Sequence, residues 1–277
     1  MVDLLRTYTL RLMLAGLACA FACSTAQAQW SILAPGTREA KPNNHRNAFL
    51  VYANPVPGRE VEFNEWYQNT HMGDLVQRPG FIGAQRFRIV TDVNPKPTQN
   101  GYAQGYLIFW DTEDADPKAP VPPNRTSPAF GTSKIVTYQA MGGKITRPDG
   151  KGPVMPADDK SFRLNRYILM DAEEALPGKD AEFNKVMDER IRQVLALPGW
   201  MAVQRFSLTD RRATPPKQKY LTVWETEGLS AQEVNTTLTE AMKSGAVKAN
   251  PHADMSTAEM VYWIPISPYI TREDFAR

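Results

Sequence analysis

One histidine, His71, has neighbours that could make it a proton-transfer group. Tyr67 lies four residues before it and Asp74 three residues after it, so in a helix the three side chains lie near one face. An imidazole has an unperturbed pKa of about 6.5, which suits acid–base chemistry near neutral pH. Tyr67 could donate a hydrogen bond to a substrate oxygen, and Asp74 could hold one tautomer. The pattern predicts a catalytic group of His71, Tyr67 and Asp74; the alternative is a half-buried structural histidine near a helix end.

Five further side chains are of types that line pockets for small molecules: Trp66, Arg86, Arg88, Tyr106 and Trp110. The two arginines are two residues apart on a predicted strand, so they share one face and could bind a carboxylate or phenolate. The aromatic residues could form the wall of a pocket. The alternatives are a solvated edge-strand face for the arginines and ordinary core packing for the aromatic rings.

Other kinds of site lack the residues that they need. The three histidines, His45, His71 and His252, are far apart and match no zinc motif, so we expect no metal. The chain contains no P-loop, no G-x-G-x-x-G and no G-x-S-x-G, which argues against nucleotide cofactors and a serine hydrolase. His71 or His252 could serve as an axial haem ligand, but no motif supports one. We therefore expect no cofactor, with haem as the alternative.

The charge balance limits the classes of partner. The net charge is +2, from 32 basic and 30 acidic side chains, and no run of lysine and arginine exceeds two residues. This balance gives no electrostatic reason to expect nucleic acid or an anionic membrane surface as a partner. A small-molecule ligand or substrate remains, and a homo-oligomer is left open.

The first 28 residues have the pattern of a signal peptide. A weakly basic start precedes an apolar run from Leu12 to Ala22, which is too short to cross a bilayer, and an A-x-A site follows at 26–28. Cleavage there would start the mature chain at Gln29, in the periplasm or outside the cell. Both cysteines lie in this segment, so a mature chain beginning at Gln29 has no disulfide.

The chain also aligns with itself at an offset of about 120 residues. Six blocks match in the same order, which predicts two diverged copies of one unit. The matches pair Pro57-Gly58 with Pro177-Gly178, Glu62-Phe63-Asn64 with Glu182-Phe183-Asn184, Pro79-Gly80 with Pro198-Gly199, Gln85-Arg86-Phe87 with Gln204-Arg205-Phe206, Trp110 with Trp224, and Ile145-Thr146-Arg147 with Ile270-Thr271-Arg272. The predicted organisation is a signal peptide (1–28), an arm (29–46), a first half (47–147), a linker (148–163), a second half (164–272) and a tail (273–277).

Each half has the pattern of a βαββαβ unit, with helices predicted over 60–77 and 180–197. Ser230 and Glu233 form a capping box that opens a second helix in the second half, whereas five prolines between 116 and 133 argue against one in the first half. The predicted fold class is α+β, with two tandem ferredoxin-like halves that bury their sheets as a dimeric α/β-barrel within one chain. The alternative is two independent ferredoxin-like domains.

The stretch from Glu62 to His71, with Pro79-Gly80-Phe81 and Gln85-Arg86-Phe87 after it, resembles the EthD-like branch of the dimeric α/β-barrel superfamily. Members often carry F-x-x-W/Y-Y-x-x-x-H-x-P on the first helix, followed by P-G-F. Gly73 stands here where the family has proline, and the second half has Arg190 or Ile191 in place of His71, depending on where a one-residue gap is placed. The superfamily includes cofactor-free isomerases, cyclases and decarboxylases, monooxygenases, haem enzymes and many proteins of unknown activity.

Two functional hypotheses follow. The first is an exported, cofactor-independent isomerase, cyclase or lyase that acts by proton transfer on a small apolar or aromatic molecule. The second is a non-catalytic periplasmic ligand-binding or scaffold protein, because the second half has lost the motif. If the chain is an enzyme, we expect its cavity in the first half between helix and sheet, and the equivalent space of the second half to be filled by Met187 and Ile191.

Overall fold

The computed structural model describes residues 47–93, 105–113, 127–149, 166–209, 218–227 and 230–275. The predicted signal peptide and arm, almost all of the linker and most of the proline-rich segment lie outside these residues. The elements are β1 (Asn47–Pro55), α1 (Glu60–Trp66), a π-helical turn (Tyr67–His71), α2 (Met72–Val76), β2 (Phe81–Ile89), β3 (Tyr106–Thr112), β4 (Phe130–Ala140), β5 (Ile145–Thr146), β6 (Arg166–Glu173), α3 (Asp180–Leu195), β7 (Trp200–Leu208), β8 (Tyr220–Glu227), α4 (Ala231–Lys243), β9 (Glu259–Pro265), β10 (Ile270–Thr271) and a 3-10 turn (Arg272–Phe275).

Eight of the strands form one closed antiparallel barrel. Their order is β2-β3-β1-β4-β7-β8-β6-β9, and β9 pairs with β2 to complete the ring. Within this ring the first half is hydrogen-bonded to the second half at two places, β4 to β7 and β9 to β2. The alternative of two independent domains is wrong, because the sheet of each half is hydrogen-bonded at both of its edges to the sheet of the other half. No helix in the described part of the chain is long and apolar enough to cross a membrane.

The strands present one face to the barrel interior and the other to the helices, as the period of two along a strand requires. The interior is filled by apolar side chains from both halves. Its largest members are Tyr52, Phe87, Phe109, Tyr138, Phe206 and Trp263. Tyr106 and Trp110 lie on the opposite face of β3 from Leu107 and Phe109, so these two predicted site residues are outside the barrel, beneath the helix.

Strand register defines which positions of the two halves are equivalent. Trp110 of β3 lies opposite Phe49 of β1, and Trp224 of β8 lies opposite Leu169 of β6. Counting from these pairs, Val51 is equivalent to Asp171 and Ala53 to Glu173. The same register pairs Arg86 with Ile108, and Arg205 with Thr222, so the two arginines are equivalent as well.

The two short strands cross between the halves. β5 follows β4 and pairs with β7, while β10 follows β9 and pairs with β2. The arginine after each strand donates to a carbonyl oxygen of the opposite half: Arg147 Nη1 to Leu197 O at 3.1 Å, and Arg272 Nη2 to Arg78 O at 2.9 Å. The repeated Ile-Thr-Arg block thus marks the segment that each half extends over the other.

Helix boundaries follow local chemistry closely. Ser230 and Glu233 form the predicted capping box at the start of α4, in which each side chain bonds to the other residue's backbone N–H. Gly80 and Gly199 follow the helices with φ of 85° and 78°, a left-handed conformation that glycine adopts without steric cost, and the chain then turns into β2 and β7.

Candidate functional site

The helix that carries the predicted catalytic residues is not a regular α-helix. α1, the π turn and α2 are continuous and together have one residue more than the 16-residue α3. The N–H of Met72 bonds to the carbonyl of Tyr67, five residues back, which is the π pattern. A regular helix with one extra residue would rotate everything after it by about 100°. The π turn absorbs that residue, so both ends keep their buried faces on the sheet.

This geometry decides which second-half residue is equivalent to His71. Before the turn, Phe63 and Tyr67 correspond to Phe183 and Met187; after it, the buried Met72 corresponds to the buried Ile191. His71 therefore corresponds to Arg190, and Ile191 does not occupy its place. The expectation that Met187 and Ile191 fill the space of the second half needs correction, because Arg190 stands where His71 would.

His71 and Trp66 form a stacked pair at the surface of an aromatic cluster. Their ring centroids are 4.4 Å apart with an interplanar angle of 24°, and both side chains are half-buried. Tyr67 meets the imidazole edge-to-face at 5.0 Å, and Trp110 lies beneath at 6.2 Å. Phe130, at the start of β4, packs against Trp66 at 5.9 Å. The structure thus brings His71, Tyr67, Trp66 and Trp110 together, as their residue types suggested.

Burial makes His71 a neutral imidazole at physiological pH. Desolvation lowers the pKa of His71 to about 4; the carboxylate of Asp74 acts in the opposite direction and Arg78 in the same direction. Asp74 thus acts on the imidazole through its charge. Within the described chain the imidazole makes ring contacts and no hydrogen bond, so its lone pair remains able to accept a proton.

Arg86 lies beneath the same helix and is wholly buried. Its guanidinium donates to Asn64, through Nη1 to the backbone oxygen at 3.2 Å and through Nη2 to the side-chain oxygen. The Cζ atom lies 5.1 Å from the centroid of the Tyr67 ring and 5.9 Å from that of Phe63. Burial lowers the pKa of Arg86 to about 10, so the group remains a cation at neutral pH.

A polar chain leads from Arg86 to the start of the helix. Asn64 Nδ2 donates to the Tyr106 hydroxyl at 3.2 Å, and that hydroxyl donates to Glu60. The second half repeats the chain: Arg205 Nη2 donates to Asn184 Oδ1 at 2.7 Å, Asn184 Nδ2 to the Tyr220 hydroxyl at 3.3 Å, and that hydroxyl to Asp180 Oδ1 at 2.6 Å. Tyr106 is therefore a member of a hydrogen-bonded support for Arg86, and burial raises its pKa.

Arg88 does not join this group, because its side chain is exposed whereas Arg86 has no exposed surface. Arg86 and Arg88 share one strand face, as predicted, but the helix covers only Arg86. Sequence reasoning missed Asn64 and Phe130. The Glu-Phe-Asn block was the available signal for Asn64, because its asparagine and the arginine of β2 are both repeated in the second half of this chain.

In the second half, charged side chains occupy the space beneath the helix. Arg190 lies 3.7 Å from Asp171 and 3.3 Å from Glu173, and all three are buried. Arg205 Nη1 lies 3.9 Å from Asp188. Burial raises the pKa of Asp171, and burial together with Asp171 raises that of Glu173. The equivalent first-half positions of these acids are Val51, Ala53 and Gln68, which are all neutral.

The described residues contain no group of three or more histidine, cysteine, aspartate or glutamate side chains placed to hold a metal ion.

Comparison with known proteins shows a likeness of fold. No protein-family model and no curated protein sequence matches the chain. A candidate monooxygenase from Fusobacterium nucleatum superposes with a TM-score of 0.50 at 8% identity, over 83% of this chain and 96% of that one. An anthrone oxidase-like protein gives 0.47 at 10% identity over 84% and 95%, and a chlorite dismutase from Candidatus Nitrospira defluvii gives 0.46 at 10% identity over 81% and 93%.

The likeness to the Fusobacterium protein is one of fold, over most of this chain and nearly all of that protein. An identity of 8% shows shared architecture only, and the chemistry of the site rests on its own residues.

The π turn generates a prediction about helix length. Deleting Asn69, an exposed residue of the turn, should convert the segment into a regular helix whose buried residues keep the spacing seen in α3. We expect cooperative unfolding and a free energy of unfolding within about 1 kcal/mol of the parent. Deleting the equivalent Glu189 from the regular α3 is the matched control, and it should rotate the following buried residues by about 100° and cost several kcal/mol. Urea denaturation compares the two; equal losses would contradict the assigned equivalence.

The low pKa of His71 predicts a pH-dependent contribution to stability. The folded-state pKa is about 4 and the unfolded-state value about 6.5, so between them the unfolded chain binds more protons. Stability should therefore fall as the pH drops from above 6.5 towards 4, and His71→Gln should remove this part of the dependence. The measurement is the free energy of unfolding of parent and variant across that range, with His252→Gln as the control. A difference between parent and His71→Gln that is independent of pH would contradict the assignment.

Proposed function

We propose that the first half is the site of a cofactor-independent proton transfer on a small planar molecule, an isomerisation, cyclisation or elimination. The observation that carries the proposal is the stacked pair of Trp66 and His71: a neutral imidazole without a hydrogen-bond partner among the described residues, on a half-buried aromatic surface.

The residues take the following roles in the proposal. The imidazole of His71 removes a proton from an acidic carbon or hydroxyl group and returns it to another atom of the same molecule, so no proton is lost or gained overall. Trp66 and Phe130 provide apolar surface against which a planar molecule packs. Tyr67 keeps its proton at neutral pH, because burial raises its pKa far above the usual value, and its hydroxyl is a donor. Arg88 and Tyr106 have no direct part in this scheme.

A second candidate function is non-catalytic ligand binding. It is favoured by the low pKa of His71, since a base of pKa about 4 has a small driving force for removing protons from weak acids. It is also favoured by the enclosure of Tyr67, which is 1% exposed. In this version the aromatic cluster holds a ligand without converting it.

We further propose that the chain arose by tandem duplication of a ferredoxin-like unit and that it is a member of the EthD-like branch. Matching sequence blocks, the same strand order in each half (β4-β1-β3-β2 and β9-β6-β8-β7) and the repeated polar chain from arginine to carboxylate support a duplication. The segment from Glu62 to His71 supports the branch. Separate sequence profiles of the two halves that find different families would contradict both proposals.

The test of function begins with the ligand. Native mass spectrometry of protein purified from its own host identifies a retained small molecule, and absorbance of the same sample reports haem if it is present. With that molecule as substrate, His71→Gln should lower turnover by about 100-fold or more, because a general base contributes about 10²–10⁴-fold. His252→Gln is the matched control and should keep full turnover. If the molecule binds and is not converted by the parent protein, the chain is a binding protein; if His71→Gln converts it at the parent rate, His71 is not the base.

Export stays a proposal of its own. We propose that the chain is secreted through the segment 1–28, on the basis of its apolar run and A-x-A site. N-terminal sequencing of protein recovered from the native host should read Gln-Trp-Ser, beginning at Gln29. Soluble protein recovered from the cytoplasm with Met1 intact would contradict it.

A further inference from the structure

Arg86 is a buried cation without a carboxylate partner among the described residues. The acidic groups that act on its charge are the phenols of Tyr67 and Tyr106, and Asn64 and two aromatic rings supply its contacts. Within the same ranges of the chain its Nε has no hydrogen-bond partner. Burying an unpaired charge is expensive, and proteins normally compensate such a group with a counter-charge.

The equivalent arginine of the second half has the usual compensation. Arg205 has Asp188 within 3.9 Å, and Asp171 and Glu173 also act on its charge. The chain therefore already contains a stable, compensated form of this arrangement. In the first half, the neutral residues Val51, Ala53 and Gln68 stand in place of these three acids. The arginine and its hydrogen-bonded support of asparagine, tyrosine and carboxylate are retained.

The difference between the halves leaves an excess of positive charge in the first. The first half lacks three carboxylates and one cation, since the neutral His71 stands in place of Arg190, and it keeps Arg86 without any of the acids. The fold gains no stability from a buried cation without a counter-charge. A local violation of the charge rule without internal compensation is typical of a binding site. The missing charge is negative, and the rings of Phe63 and Tyr67 over the guanidinium select a ligand with apolar surface.

We propose that the first half binds an organic oxyanion, a carboxylate, phenolate or enolate on an aromatic or conjugated frame, and that Arg86 balances its negative charge. The inference rests on the proposed function in one respect: removal of a proton by His71 would create such an anion. The Tyr67 ring joins the two groups, since its centroid lies 5.1 Å from Arg86 Cζ and 5.0 Å from the imidazole. Because Arg86 has no exposed surface, the ligand reaches it past the half-buried Trp66 and His71, with displacement of the Tyr67 ring.

The experiment measures binding with matched anionic and neutral probes at constant ionic strength, using the full chain. Benzoate is compared with benzamide, and 4-nitrophenolate with 4-nitroanisole, above the pKa of the phenol; the two pairs distinguish a carboxylate from a phenolate source. Calorimetry and thermal midpoints should show binding of at least one anion and not of its neutral partner. Arg86→Met should weaken that binding by about tenfold or more, as expected for loss of a charge-assisted contact.

Two further variants test whether the uncompensated charge of Arg86 is what binds the anion. Arg205→Met removes the equivalent, compensated arginine and should leave anion binding unchanged. Gln68→Glu places a carboxylate at the position of Asp188, so it should weaken anion binding while raising the thermal midpoint of the ligand-free protein. Without ligand, Arg205→Met should lower the thermal midpoint more than Arg86→Met does, because it removes the ion pair with Asp188 and leaves Asp171 and Glu173 with Arg190 alone, whereas Arg86→Met removes a buried charge that has no counter-charge.

Three outcomes would overturn the inference: neutral probes that bind as tightly as the anions, an Arg205→Met loss equal to that of Arg86→Met, or no binding of either anion. His71→Gln distinguishes this failure from that of the proposed function. If His71→Gln keeps turnover while Arg86→Met loses the anion, only the proton-transfer proposal fails. If His71→Gln loses turnover while Arg86→Met binds normally, only the anion site fails.

Discussion

Closure of the barrel is the constraint on which the rest of this structure depends. The pairings of β4 with β7 and of β9 with β2 join the halves into one ring, and the side chains inside it are apolar. An unpaired charge would be costly among these apolar side chains. The buried groups around Arg86 in the first half, and around Arg190 and Arg205 in the second, lie on the outer strand face, between sheet and helix. The polar groups that lie beneath each helix are what distinguish the two halves.

The two halves show how one framework accommodates different electrostatics. Both retain an arginine that is held by an asparagine, which is linked through a tyrosine to a carboxylate at the start of the helix. Around it, the second half uses Arg190, Asp171 and Glu173 to form a compensated ionic cluster. The first half has a histidine and neutral residues at those positions. A compensated cluster suits a structural role, and an uncompensated cation beside a neutral imidazole and an aromatic surface suits recognition of a ligand.

The π turn explains how the first half carries one extra residue without loss of packing. Residues on either side of it keep the same buried faces as their counterparts in the regular α3. Trp66 and His71 are five residues apart, which in an α-helix would separate them by about 140° around the axis. In the π turn they stack. The aromatic surface of the candidate site is therefore a product of local helix geometry as well as of residue type.

The sequence alone determined the positions of the main helices, of several strands and of the candidate residues. Alternation and helical period located the strands and helices, proline and glycine located the ends of helices, and the matched blocks identified corresponding segments such as Gln85-Arg86-Phe87 and Gln204-Arg205-Phe206. These are local properties, set by residue type and spacing. Tertiary structure decided the rest. The sequence left open which strands of the two halves pair across the barrel, and whether Arg190 or Ile191 takes the place of His71. It also could not show that Arg86 is buried while Arg88 is exposed, or that Asn64 holds Arg86. These features depend on contacts between residues that are far apart in the chain. They also depend on helix phase, because one extra residue rotates the helix by about 100° and changes which side chains face the sheet.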